Sequence, residues 1–186
     1  MRLVLIGPPG AGKGTQAQLL SERLGVPHIS TGELFRTHIR QETTLGRQAS
    51  RYLDAGELVP SSLTIDMVRD RLAQQDTEIG FLLDGFPRSL DQAEALGDML
   101  AQDGRTLNAV LSFEISDELV IERMLARGRP DDSEHVIQNR LRVYAEETTP
   151  LLDYYSDHII AVDASGEVDH VNRDAQQKLR DVAHSR

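Results

Sequence analysis

The apolar positions along the chain change period several times. Leu3 to Ile6 is an unbroken apolar run closed by Gly7, the pattern of a strand buried on both faces. From Lys13 to Leu24 the apolar residues Ala17, Leu20 and Leu24 recur at helical spacing, and Gly25 supplies a stop. "VPHIS" (26–30) reads as a second, short strand. Between Thr31 and Leu58 the pattern turns helical and polar, with "TGELFRTHIRQ" and "TLGRQASRYLDAG" each predicting a small amphipathic helix. Residues 30–59 therefore read as a small helical lobe inserted between core elements, with a hinge near Pro60. "SSLTIDMVRDRL" predicts a core-facing helix with a serine cap. "GFLLDG" (80–85) is a third buried strand, ending in an acid and a glycine.

A helix over 89–100, a strand over 109–115 and a helix over 118–126 continue the alternation, which "RGRPDD" (127–132) then interrupts. A longer helix over 133–155, kinked or divided by Pro150, is followed by a strand over 158–164 and a helix over 168–182. Strands alternating with helices predict an α/β domain built on a mostly parallel sheet with right-handed crossovers. There are no internal repeats or low-complexity segments.

Between the first strand and its helix stands "GPPGAGKGT" (7–15), close to the phosphate-binding pattern G-x-x-x-x-G-K-[ST]. The hydroxyl expected at position 14 is replaced by Gly14 and arrives at Thr15. A loop in this position turns successive backbone N–H groups and a helix N-terminus towards phosphate oxygens, with Lys13 supplying an ammonium. Such loops serve kinases, hydrolysing switches and passive binders alike. "LLDGFPRSLDQ" (82–92) puts Asp84 at the carboxyl end of a parallel strand, where an acid holds magnesium or its waters or simply caps a turn. Arg88 and Gln92 follow at intervals of four. Arg123 and Arg127 share one helix face, Arg129 falls in the glycine and proline turn, and Arg140 lies on the next helix. An arginine run is either a solvated face or a set of forks for phosphoryl oxygens.

At 186 residues the chain fits one domain. It has no cysteine, which excludes disulfides and thiolate metal sites. A formal net charge of −10 argues against nucleic acid or an acidic membrane as the main partner. The apolar run near the N-terminus is too short for a signal peptide, and no stretch approaches the ~20 apolar residues of a membrane span, so a soluble cytoplasmic protein is expected. Of 20 basic residues only Lys13 and Lys178 are lysines, which makes any single arginine weak evidence.

Together with the loop, "STGELFR" (30–36), "GELVPS" (56–61), "DGFPRSLDQA" (84–93), "GRPDD" (128–132) and "NRLRVY" (139–144) resemble, in order, the signatures of the adenylate kinases. The resemblance runs along nearly the whole chain. It implies a phosphate-loop nucleoside monophosphate kinase fold, with a five-stranded parallel sheet flanked by helices, a small AMP-binding lobe (30–59) and a short lid (126–132). It implies the reaction ATP + AMP = 2 ADP, with Mg2+ carried mainly by nucleotide and water, no zinc, and a monomer. Gly14 is then a family variant, because Asp84 anchors the metal through water.

Carried over by position, Gly10, Ala11, Gly12, Lys13, Gly14 and Thr15 would hold the ATP phosphates. Arg123 and Arg127 would contact ATP from the lid side, and Gly166 the adenine of ATP. Thr31, Arg36, Glu57, Leu58, Val59, Gly85, Phe86, Pro87, Arg88 and Gln92 would form the AMP site, with Arg129 and Arg140. Lys13, Asp84, Arg88, Arg127, Arg129 and Arg140 would carry catalysis, and Asp131 and Asp132 would hold the lid closed by pairing with arginines. A UMP/CMP kinase of the same fold resembles this chain but typically differs at Thr31 and Gln92. A non-catalytic nucleotide sensor would have no use for a second arginine-lined site.

Overall fold

The computed structural model describes residues 1–129 and 132–184. The five strands are β1 (Arg2–Ile6), β2 (His28–Ser30), β3 (Phe81–Asp84), β4 (Ala109–Glu114) and β5 (Ile159–Asp163), in the order β2-β3-β1-β4-β5. Every pairing is parallel. The helices are α1 (Lys13–Leu24), α2 (Thr31–Arg40), α3 (Thr44–Ala55), α4 (Ser61–Leu72), α5 (Leu90–Gln102), α6 (Asp117–Arg127), α7 (Glu134–Val143), α8 (Pro150–Tyr154) and α9 (Val168–His184). None of the helices among the described residues is long and apolar enough to cross a membrane.

β1 sits in the middle of the sheet, and its apolar run divides by alternation between two cores. Leu3 and Leu5 point to the side covered by α1 and α9, where Ala17, Leu20, Val171, Ala175 and Leu179 meet them. Val4 and Ile6 point to the opposite side, against Val68, Leu96, Leu100 and Leu151 from α4, α5 and α8. Burying a side chain of this size contributes about 1.5–3 kcal/mol. The centre of the sheet is therefore the most strongly specified part of the fold.

The segment after β2 forms the expected helical pair. Ser30 caps α2 by accepting from Glu33 N, and Thr43 caps α3 by accepting from Gly46 N. Phe35, Ala49, Val59 and Met67 form a small core of their own, supported by Leu45, Leu53 and Leu63. The two helices approach so closely that a Cβ at Gly46 would lie 2.2 Å from the His38 carbonyl oxygen.

One local expectation is corrected and another is met in more detail. Ser61 does not cap α4: the cap position is Pro60, and the Ser61 hydroxyl instead accepts from Gln92 Nε2 at 3.3 Å. The long helix expected over 133–155 is divided ahead of Pro150, by a wider turn over Tyr144–Thr148 in which Thr149 N donates to Tyr144 O at 3.0 Å, five residues back. Pro150 then opens α8 at a position where its missing N–H is harmless.

Two helical glycines should respond with opposite sign to alanine. At Gly97 in α5 a Cβ would meet nothing closer than Tyr154 Oη at 4.0 Å, so Gly97→Ala should stabilise by about 0.5–1 kcal/mol through helix propensity. At Gly46 the backbone contact overrides the same propensity, and Gly46→Ala should destabilise by about 1–3 kcal/mol. Urea unfolding of the two variants measures both; a gain at Gly46 would mean that the α2–α3 crossing is looser than described.

Candidate active site

The ladder register brings Ser30, Leu5 and Asp84 to one level at the carboxyl edge of the sheet. Just beyond β1 the chain turns through the phosphate-type loop. Gly12 caps α1 in a left-handed conformation at φ 83°, with nothing within 4 Å of where a Cβ would stand. The loop backbone there faces open space, as close approach by an anion requires. Lys13 Nζ donates to the carbonyls of Gly7 at 2.7 Å and Pro8 at 2.8 Å. Burial pushes its ammonium down to about 8, with Asp84 opposing and Arg88, Arg140 and Arg127 adding to the drop.

Asp84 ends β3 beneath this loop. Burial alone would raise its carboxyl, but His28 and the positive charges of Lys13 and Arg88 outweigh that and hold it below the usual carboxylate value. His28 Nε2 stands 3.7 Å from Asp84 Oδ2 and has no hydrogen-bond partner. His28 was not singled out from sequence, since a lone histidine on a short strand carries no pattern. A Cβ at Gly14 would lie 3.5 Å from Asp84 Oδ2, so position 14 faces the acid.

A cleft of about 660 Å³ opens over this edge. Gly10, Gly12, Lys13, Gly14 and Thr15 line one end, Asp84, Gly85, Pro87 and Arg88 the floor, and Arg36 and Leu58 the far side. Arg123 and Arg127 face it from α6, Arg140 from α7, and Arg129 from the segment between those helices. A smaller recess adjoins, lined by Thr31, Glu57, Leu58, Val59, Gly85, Arg88 and Gln92, with Phe35, Leu53 and Thr64 as further walls. Thr31, Glu57, Val59 and Gln92 thus belong to the recess. Gly85, Leu58 and Arg88 belong to both spaces.

Side chains around the recess are held by one another. Gly85 adopts φ 79°, and a Cβ there would come within 2.8 Å of Thr31 Oγ1 and 2.9 Å of Arg88 Nη2, so glycine is required on both counts. Its carbonyl accepts from Thr31 Oγ1 at 2.8 Å and Arg88 Nε at 2.9 Å. Arg88 N donates to Gln92 Oε1 at 2.9 Å, and Arg88 O accepts from Thr148 Oγ1 at 2.9 Å. The wider turn after α7 is what delivers Thr148 to that carbonyl.

On the opposite wall, the fully buried carboxylate of Asp132 gathers the arginines. Arg127 donates to it twice, Nε to Oδ2 at 2.9 Å and Nη2 to Oδ1 at 2.7 Å. Arg129 N donates at 3.1 Å and Arg140 Nη1 at 3.4 Å. Burial alone would raise the Asp132 carboxyl; these donors hold it low instead. Asp131 lies outside the described residues.

Three residues expected to contact nucleotide stand elsewhere than on the cleft wall. The side chains of Ala11 and Phe86 are buried in the two cores, which leaves their backbone to face a ligand. Gly166 lies behind Arg123, whose guanidinium donates to Ala164 O at 2.8 Å, Ser165 O at 3.1 Å and Gly166 O at 3.4 Å.

Among the described residues no three His, Cys, Asp or Glu side chains lie close enough to cage a metal ion. Asp84 is a single hard oxygen donor beside a phosphate-type loop, which fits a magnesium ion whose other ligands come with a nucleotide.

The comparisons with known proteins agree with this geometry. A family profile described as adenylate kinase matches residues 5–160. The adenylate kinase of Rhodococcus erythropolis is 63% identical over 179 residues, covering 96% of this chain and 99% of that protein. Those of Nocardia farcinica and Corynebacterium glutamicum are 59% and 56% identical, over 96% and 92% of this chain and 99% and 95% of their own lengths. With the cleft, the loop and this similarity along the whole sheet, the chain belongs to the adenylate kinase family.

Proposed function

We propose that the cleft binds MgATP and AMP together and passes the γ-phosphoryl group directly between them, in the reversible reaction ATP + AMP = 2 ADP. The observation that carries this reading is the pair of adjoining spaces that meet at Arg88 and Gly85. A switch or a sensor needs one nucleotide site; a phosphotransferase between nucleotides needs two that touch.

ATP phosphates would lie on Gly10 to Thr15, with Arg123 and Arg127 above them and the base towards Gly166. AMP would lie in the recess, its base against Thr31, Val59 and Gln92 and its phosphate between Arg36 and Arg88. Gln92 is 2% exposed and its amide is oriented by Arg88 N and Ser61 Oγ, which suits reading a base edge. Magnesium, arriving with ATP and held through water by Asp84, would supply charge neutralisation on the phosphates.

Lys13, Arg88, Arg127, Arg129 and Arg140 line the cleft and would surround the space between the two phosphates. The transferred group is loosely bonded at its transition state and spreads negative charge over its oxygens, so positioned cations are the main catalytic requirement. No covalent intermediate is needed. Asp132 keeps Arg127 and Arg140 directed across the cleft. The lobe at 30–59 and the lid at 126–132 would close over both substrates, excluding water as a competing acceptor. The family resemblance carries with it a monomer working on the free nucleotides of the cytoplasm.

Chromatography of products after mixing the protein with MgATP and AMP, CMP, UMP or GMP in turn tests the reading. ADP should form with AMP and be abolished by EDTA, and transfer to CMP or UMP instead would overturn the base assignment of Thr31 and Gln92. Lys13→Met and Arg88→Ala should each lose at least about 100-fold in kcat/KM. The pH dependence follows from Lys13. Its pKa of about 8 in the free enzyme should rise beside ATP phosphates, so the lysine is charged in both states well below 8 and must take up a proton to bind above it. ATP affinity should therefore weaken as pH rises past about 8, with up to one proton taken up per ATP. Calorimetry near pH 8.5 in two buffers of different ionisation enthalpy measures that uptake, and its absence would mean that Lys13 is already fully charged there.

A further inference from the structure

The interface between α1 and α9 contains a chain of three amides, two of them buried, that the phosphoryl-transfer chemistry does not use. Gln16, the residue after Thr15, is 3% exposed, and both ends of its amide are engaged. Its Nε2 donates to Val168 O at 2.9 Å, and its Oε1 accepts from Asn172 Nδ2 at 2.9 Å. Asn172 is 8% exposed, and its Oδ1 accepts in turn from Gln176 Nε2. Around these amides the interface is apolar, with Ala17, Leu20, Val171, Ala175 and Leu179. Buried amides contribute little net stability over apolar groups of the same shape, and they cost free energy when left unpaired. What they add is direction: apolar surfaces tolerate small sliding, whereas a hydrogen bond at 2.9 Å does not.

The position of this chain gives that direction a consequence. Gln16 belongs to the first turn of α1, where Gln16 N donates to Gly12 O at 3.1 Å, so it moves with the phosphate loop. Val168 opens α9 and ends the 164–168 loop. The same loop is gripped from its other side by Arg123 on the carbonyls of residues 164 to 166, and tightened by Asp163 Oδ1, which accepts from Ser165 N at 2.9 Å and Ser165 Oγ at 2.6 Å.

We infer that Gln16, Asn172 and Gln176 are positioning residues that fix the spacing between the phosphate loop and the 164–168 loop, and so set how well a nucleoside triphosphate can engage both at once. The inference rests on the proposed placement of the ATP base beside residues 164 to 166. It concerns the triphosphate site alone, since the recess assigned to AMP lies across the sheet edge and shares no residue with the amide chain.

The test is the double variant Gln16→Met, Asn172→Leu, which replaces both central amides with apolar groups of similar shape. Affinity for ATP should fall by about tenfold, because misplacement of two loops separates base binding from phosphate binding. Affinity for inorganic tripolyphosphate, which has no base to engage the 164–168 loop, should stay within about twofold, as should KM for AMP. Equal losses for ATP and tripolyphosphate, equal losses for ATP and AMP, or no loss for ATP would each overturn the inference. If the double variant fails to fold, Gln176→Leu removes only the outer amide and should raise KM for ATP over KM for AMP by about two- to threefold; an unchanged ratio overturns the inference equally. Hydrogen exchange on the wild-type chain separates the two ideas. ATP, and not tripolyphosphate, should protect amides of residues 163 to 167. No protection there would sink the base placement itself, whereas protection with an unchanged variant would sink the positioning role alone.

Discussion

Like-charge repulsion is the constraint around which this molecule is arranged. Lys13, Arg36, Arg88, Arg123, Arg127, Arg129 and Arg140 converge on one cleft of a chain whose net charge is −10. Burial pulls the pKa values of Lys13 and Arg88 down first, and the cations gathered beside them add to the drop. The arrangement persists because carboxylates are placed within it. Asp132 holds Arg127 and Arg140, Glu33 holds Arg36 at 2.7 Å, and Asp84 stands against Lys13 and Arg88. What remains is an excess of positive charge that phosphates would neutralise, which is also what a phosphoryl group in transfer requires.

Holding such a group of charges in place demands a rigid floor, and the sheet provides it. β1 and β3 are buried on both faces and lie in register, so the loop after Ile6 and the carboxylate of Asp84 have no freedom to separate. The arginine wall is built differently. It rests on α6, α7 and one buried aspartate, a smaller apolar cluster than either core of the sheet. The deeply buried floor and the more thinly packed arginine wall both follow from where apolar burial is concentrated.

The wider turn after α7 shows how a local departure from regular structure serves the site. An ordinary helix through 144–148 would rotate Thr148 away from Arg88, whose carbonyl would then lose a donor in a half-buried position. Gln92 makes a similar link, joining α5 to the Arg88 backbone and to Ser61 at the start of α4. The Phe86 side chain, buried in the core, anchors the same segment from below. Arg88 is held on several sides before any ligand arrives, a form of preorganisation that lowers the cost of binding.

Much of this was legible in the sequence because it is local. The run Leu3 to Ile6, the glycines and lysine of residues 7–15, the apolar spacing of α1 and the isolated acid at Asp84 all express short-range periodicity or backbone geometry, and the elements stand where those patterns put them. The family signatures likewise singled out arginines that the fold brings together on the cleft. Side-chain direction across long separations was not legible. Nothing in the order of residues says that His28 faces Asp84, that Arg123 grips the carbonyls of residues 164 to 166, or that Ser61 turns from its expected cap towards Gln92. Those relations join elements tens of residues apart, and they come into being only when both cores of the sheet are filled and each side chain is left one place to go.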